Sequence, residues 1–186
     1  MVSLGALWLP ILVSSAIVFI VSSIIHMASP WHKGDYPRVP KEDEVMAALR
    51  PLNIPPGGYM VPRPGSHEDM RSPAFLEKMN AGPVLMLQVM PNGMMPLTKN
   101  LINWFLYIVV VGLFAAIIAR RTIGFGANFR VVFQVIGATA LMGYTLALWQ
   151  MSIWYQRGWM LTIKATIDGA IYAFLTAIVF GFLWPR

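Results

Sequence analysis

The sequence predicts a mainly α-helical membrane protein, with four transmembrane helices and a small α+β extramembrane domain inserted between helices 1 and 2. Three observations carry this. Of the 186 residues, 57% are hydrophobic and only 12% are charged, whereas soluble domains run near about 25% charged. Four apolar runs are each long enough to cross about 30 Å of hydrocarbon at about 1.5 Å per residue. Aromatic residues gather at the ends of those runs, at Trp8, Trp31, Trp104, Trp154, Tyr155, Trp159 and Trp184. Amphipathic rings settle at such interfaces.

The first run covers residues 4–28. It is too long for the core of a signal peptide and has no basic segment before it. His26 also interrupts the small-residue pattern that cleavage after Ala28 would need, so a retained span is expected. Pro10 near its start is tolerable there. The extramembrane domain is expected over 29–99. The second span is expected at 101–119, closed by Arg120 and Arg121, the third at 131–155 and the fourth at 160–184. Short connections make the last three spans antiparallel neighbours.

Within 29–99, Pro40 and the acidic stretch Glu42-Asp43-Glu44 open a short helix to Arg50, because proline and acids suit a first turn. Ser72-Pro73 opens another to about Asn80, stopped by Gly82. Val84 to Met90, a turn at Pro91-Asn92-Gly93 and a return over Met94 to Leu97 read as a β-hairpin. Gly58 to Pro62 is a candidate for a further strand. An even number of spans puts both termini on one side of the membrane. The loop 120–130 carries Arg120, Arg121 and Arg130 without an acid, and Arg186 shares its side. That asymmetry predicts cytoplasmic termini and a periplasmic 29–99 domain.

Net charge is +6, but the basic residues flank the spans and none interleaves with aromatics as single-stranded nucleic acid requires. No nucleic-acid partner is expected. The absence of cysteine excludes disulfides, iron–sulfur clusters, thiolate metal sites and cysteine nucleophiles. No Gly-x-Ser-x-Gly, His-Glu-x-x-His or P-loop pattern occurs. Neither an enzyme, a catalytic residue nor a cofactor is therefore expected.

Several residues invite a functional reading beside a plainer one. Lys164 and Asp168 lie one turn apart in the fourth span. Ionisable residues in a span are costly and often functional, yet the two can neutralise each other at i,i+4. His26, His32 and His67 suggest metal, but the first two, six residues apart, do not share one helix face. The expectation is interfacial polarity and no metal site. The methionines at 46, 60, 70, 79, 86, 90, 94 and 95 offer soft ligands for Cu(I), or adaptable packing at a docking surface. Small residues recur in the spans at Ser14, Ser15, Ser22, Ser23, Gly137, Gly143, Gly169 and Ala173, and let helices approach closely.

The segment Trp31-His32-Lys33-Gly34-Asp35-Tyr36 with Pro40 and Glu42, the Ser72-Pro73 start, the Pro91-Asn92-Gly93 turn, and Ile167 to Ala173 through Trp184-Pro185 resemble a family of small four-span bacterial membrane proteins. The likeness covers most of the chain and implies a bacterial cytoplasmic membrane, but transfers no activity. The chain is also similar to an accessory subunit of a bacterial photosynthetic reaction-centre–light-harvesting complex. The expected function is thus that of a non-catalytic accessory subunit in contact with the lipid bilayer and a larger integral membrane complex. Trp31, Tyr59, Phe75, Met86, Met90, Met94 and Met95 are the candidate anchors, since aromatics and methionine are enriched at interfaces. The alternatives are an ion pathway through Lys164 and Asp168, and methionine-based copper handling.

Overall fold

The computed structural model describes residues 2–186. Two compact units emerge: the residues up to Tyr36 together with Pro96–Arg186, and the intervening Pro37–Met95. Residues 29–36 therefore belong with the spans and not with the inserted domain.

The first unit is a bundle of four helical segments, each long and apolar enough to cross a membrane: Leu4–Ala28, Leu97–Thr122, Phe129–Tyr155 and Trp159–Leu183. This is a multi-pass membrane protein. In the first segment, a 3-10 turn leads into α1 (Trp8–Ser23), and a π-helical turn, Ile24–Ala28, ends it. The hydroxyls of its serines would be costly in hydrocarbon if left unpaired. Ser14 and Ser15 donate back to the Ile11 carbonyl at 3.1 and 2.7 Å, and Ser22 and Ser23 to that of Phe19 at 2.9 and 2.8 Å.

The second span, given as α4 below, is followed by a third that departs from the expected single helix. It runs as α5 (Phe129–Thr145), a 3-10 turn at Leu146–Leu148 and α6 (Trp149–Tyr155). At the break, the Thr145 hydroxyl donates to the Leu141 carbonyl at 2.7 Å. Such back-bonding bends helices. The fourth span is α7 (Trp159–Leu183).

In the inserted unit, α2 is Glu42–Leu49, with all three acids in its first turn, and α3 is Pro73–Ala81. Two strands, β1 (Gly57–Val61) and β2 (Leu85–Val89), pair antiparallel from Gly57 opposite Val89 to Val61 opposite Leu85. The expected hairpin between Val84–Met90 and Met94–Leu97 does not form. Pro96 has no N–H to give a ladder, and α4 (Leu97–Thr122) already starts at Leu97. The segment expected as an extra strand becomes the actual partner.

Local punctuation explains α3. The Ser72 hydroxyl accepts from the Phe75 amide at 3.1 Å, Pro73 follows, and Gly82 ends the helix with φ of 62°. Ser72→Ala is expected to cost about 1 kcal/mol of local stability. Faster amide exchange confined to residues 73–81 is the measurement that checks it.

The bundle interior has two parts. Val2, Leu7, Ile123, Phe180 and Trp184 belong to a buried cluster at the end holding both termini. Towards the other end, Val18, Ile108, Ala140, Tyr144 and Tyr172 form a second. Gly169 is packed against α5: a Cβ there would lie 2.6 Å from Thr145 Cγ2 and 3.1 Å from Tyr144 Cβ. Gly169 and the buried Ala173 thus serve packing within the bundle itself.

Candidate functional site

At the end of the bundle remote from the termini, the chain leaves the first span and turns back over α7. The π-helical turn carries His26, and residues 30–36 carry Trp31, His32 and Asp35. Asp168 sits about 13 Å along α7 from Trp159, at about 1.5 Å per residue, and its side chain is only 5% exposed. A carboxylate so placed is expensive unless paired and hydrogen-bonded. The turn supplies both. Trp31 Nε1 donates to Asp168 Oδ1 at 3.1 Å, and His32 Nε2 lies 2.9 Å from Asp168 Oδ2.

His32 Nδ1 lies 2.6 Å from Asp35 Oδ2, and Lys164 Nζ donates to Asp35 Oδ1 at 2.6 Å and to the Trp31 carbonyl at 2.7 Å. The ammonium also stands 5.3 Å from the Trp31 ring centre, within cation–π range. Both nitrogens of His32 thus face carboxylate oxygens, which only accept. The doubly protonated ring satisfies both contacts; the neutral ring satisfies one.

Below this polar layer lies an aromatic one. His26 stacks on His32 with centroids 4.2 Å apart, and its Nε2 meets the Tyr172 hydroxyl at 3.3 Å. Trp104 packs on Tyr172 and Tyr107, and Tyr144 on Tyr172 and Tyr107. Trp104 Nε1 donates to Ser22 Oγ at 2.8 Å, joining α4 to α1. A cavity of about 510 Å³ opens among these rings, His26, His32 and Asp168.

Lys164 and Asp168 were expected to neutralise each other. Instead each takes its partner from the turn, and among the described residues they make no ion pair with each other. Lysine preceding aspartate is the weaker order for a helical pair, and the turn offers shorter, better-directed bonds. His26 and His32 do converge, because the helix ends between them; the spacing argument against them holds only for a continuous helix. His67 lies in the inserted unit and is exposed.

Among the candidate anchors, Trp31 is 40% exposed but commits its indole N–H to Asp168. Tyr59 is half-buried and donates to the Pro55 carbonyl at 2.9 Å. Phe75 is buried, so it fills the interior of its own unit and presents no surface to a partner. Met86, Met90, Met94 and Met95 are exposed.

The hydrogen bond from Lys164, followed by that from His32, holds the Asp35 carboxyl below the usual aspartate range. A depressed carboxyl binds its proton less readily in the folded state than in the unfolded one. Its stabilisation is complete above the ordinary value of 3.8 and is lost as pH falls through the lower folded value. Asp35→Asn is expected to reduce stability at pH 7 and to flatten the decline below about pH 4. Denaturation of both proteins in mild detergent across that range checks it.

The fold and this centre define a multi-pass membrane protein with a histidine–carboxylate–lysine network closing one end of its bundle. No protein-family model matches the chain, and no curated protein or solved structure matches it either.

Proposed function

We propose that the chain is a non-catalytic accessory subunit of a larger integral membrane complex, packing by its spans and docking by its inserted unit. One observation carries the reading. In Pro37–Met95 the only buried apolar side chain is Phe75, while Leu52, Met60, Met86, Met90, Met94 and Met95 are exposed. A unit of this size needs a real core or an external staple, and a two-stranded ribbon alone is marginal. A partner's surface supplies the missing burial, and unbranched methionines adapt to it.

The positive-inside asymmetry supports cytoplasmic termini with the inserted unit on the opposite side, and the resemblance implies a bacterial cytoplasmic membrane, which makes that side periplasmic. A photosynthetic reaction-centre assembly is the particular partner that the resemblance implies. The alternative ion pathway gains little from the network. Lys164 and Asp168 are both tied to the same turn, which suits a latch better than a conduit; loss of ion flux in Asp168→Asn with assembly intact would reverse that judgement. Copper handling is tested by equilibrium dialysis against Cu(I), and binding weaker than about micromolar removes it.

Mild detergent extraction, size fractionation and mass spectrometry test the main reading. Stoichiometric co-migration with a large complex is expected, and migration alone or as a small homo-oligomer overturns it. Replacing Met86, Met90, Met94 and Met95 together by serine is expected to release the chain from the complex while leaving its own thermal midpoint unchanged.

A further inference from the structure

We propose that His26, His32 and Asp168 form a binding site for one divalent first-row transition-metal ion of the zinc or iron(II) type. Each residue offers one ligand atom, and the three atoms lie within 4.8 Å of one another. The nearest pair, His32 Nε2 and Asp168 Oδ2, stands at 2.9 Å. Bonds of about 2.0–2.1 Å at tetrahedral angles separate ligands by about 3.3 Å, so that pair needs almost no movement.

The surroundings point the same way independently. Metal-ligating histidines donate their other N–H to a carboxylate, which fixes the tautomer and aims the free nitrogen. Asp35 does this for His32 Nδ1 at 2.6 Å, and is itself fixed by Lys164. Ligating carboxylates are likewise held by outer hydrogen bonds. Trp31 Nε1 holds Asp168 Oδ1 and leaves Oδ2 turned towards His32. Two of the three ligands therefore already have the outer partners that a metal centre needs.

His26 is the adjustable ligand. It is exposed, stacks on His32 with planes 15° apart, and makes only a 3.3 Å contact to Tyr172. An ion lies in the plane of each imidazole that binds it, so His26 must turn off the stack to complete the site. The donor set fixes the class. Two imidazoles and one carboxylate suit zinc or iron(II), whereas calcium and magnesium prefer all-oxygen sites and Cu(I) prefers sulfur. Three protein ligands leave a coordination position for water or a small oxygen ligand, and the aromatic cavity adjoins it.

The test uses the full chain in detergent, purified on a histidine-free tag, stripped with chelator and titrated with Co(II) and Zn(II). One ion per chain is expected, with a dissociation constant of about micromolar or tighter and visible Co(II) bands of low-symmetry coordination. His32→Gln and Asp168→Asn should each weaken binding at least 100-fold. Asp35→Asn should weaken it about 10- to 100-fold through the outer shell, and His67→Gln should leave it unchanged. Asp168→Asn keeps a side-chain oxygen for Trp31 and an amide for His32, and unaltered thermal unfolding of the metal-free protein would show that lost binding is not lost folding. Binding weaker than about millimolar, or binding indifferent to His32→Gln and Asp168→Asn, overturns the proposal.

Discussion

Asp168→Ala is expected to destabilise the folded chain by about 3 kcal/mol, the scale for removing one member of a buried polar pair. The loss has two parts. The carboxylate disappears, and the indole N–H of Trp31 and Nε2 of His32 are left facing a void beside apolar rings. An unsatisfied buried donor costs about 1–3 kcal/mol. Asp168→Asn is expected to lose much less, because its amide oxygen still accepts from Trp31 and its amide nitrogen donates to the neutral His32 ring. Thermal or denaturant unfolding in one detergent, run on wild type and both variants, separates the cases. Equal losses for alanine and asparagine would mean that charge, and not hydrogen-bond geometry, holds the turn to α7.

Gly169 produces the second large effect, from a different cause. At this position α5 approaches α7 so closely that a Cβ would meet Thr145 Cγ2 at 2.6 Å and the Tyr144 carbonyl oxygen at 3.3 Å. The threonine is fixed by its own back-bond to Leu141, and a backbone carbonyl cannot swing aside. Gly169→Ala should cost about 1–3 kcal/mol by overpacking, and Gly169→Leu should prevent the bundle from closing. Gly124→Ala is the control, since a Cβ there meets nothing within 4 Å. Helices in lipid associate by such close approaches, without a hydrophobic drive between them. Loss of a single sharp elution peak for Gly169→Leu, with the control unchanged, is the expected result.

The spans were legible because their signal is local: hydropathy over a window of about 20 residues needs no knowledge of neighbours. The same holds for α3, whose start and stop are written in Ser72, Pro73 and Gly82. Strand pairing was misassigned because it is a choice between partners. The turn at Pro91-Asn92-Gly93 points to the nearer one, which Pro96 disfavours because it has no N–H to give a ladder. The polar centre was half legible. Lys164 and Asp168 stood out as charges in a span, and the histidine and aspartate three residues apart were visible in the turn. Joining them required knowing that segments some 130 residues apart meet, which no local periodicity carries.

The ties between the 31–35 turn and α7 also bear on how the chain enters the membrane. Charged residues within a span raise its insertion cost, by about 2.5–3.5 kcal/mol each at the centre and less towards the ends, and α7 carries two, Lys164 and Asp168. Both are compensated by the segment that follows the Leu4–Ala28 span. Being synthesised after that segment, α7 settles by completing an arrangement of polar groups that the 31–35 turn already carries. A chain halted before α7 keeps His32 and Asp35 without their Asp168 and Lys164 partners, and so carries a polar defect at that end of the bundle.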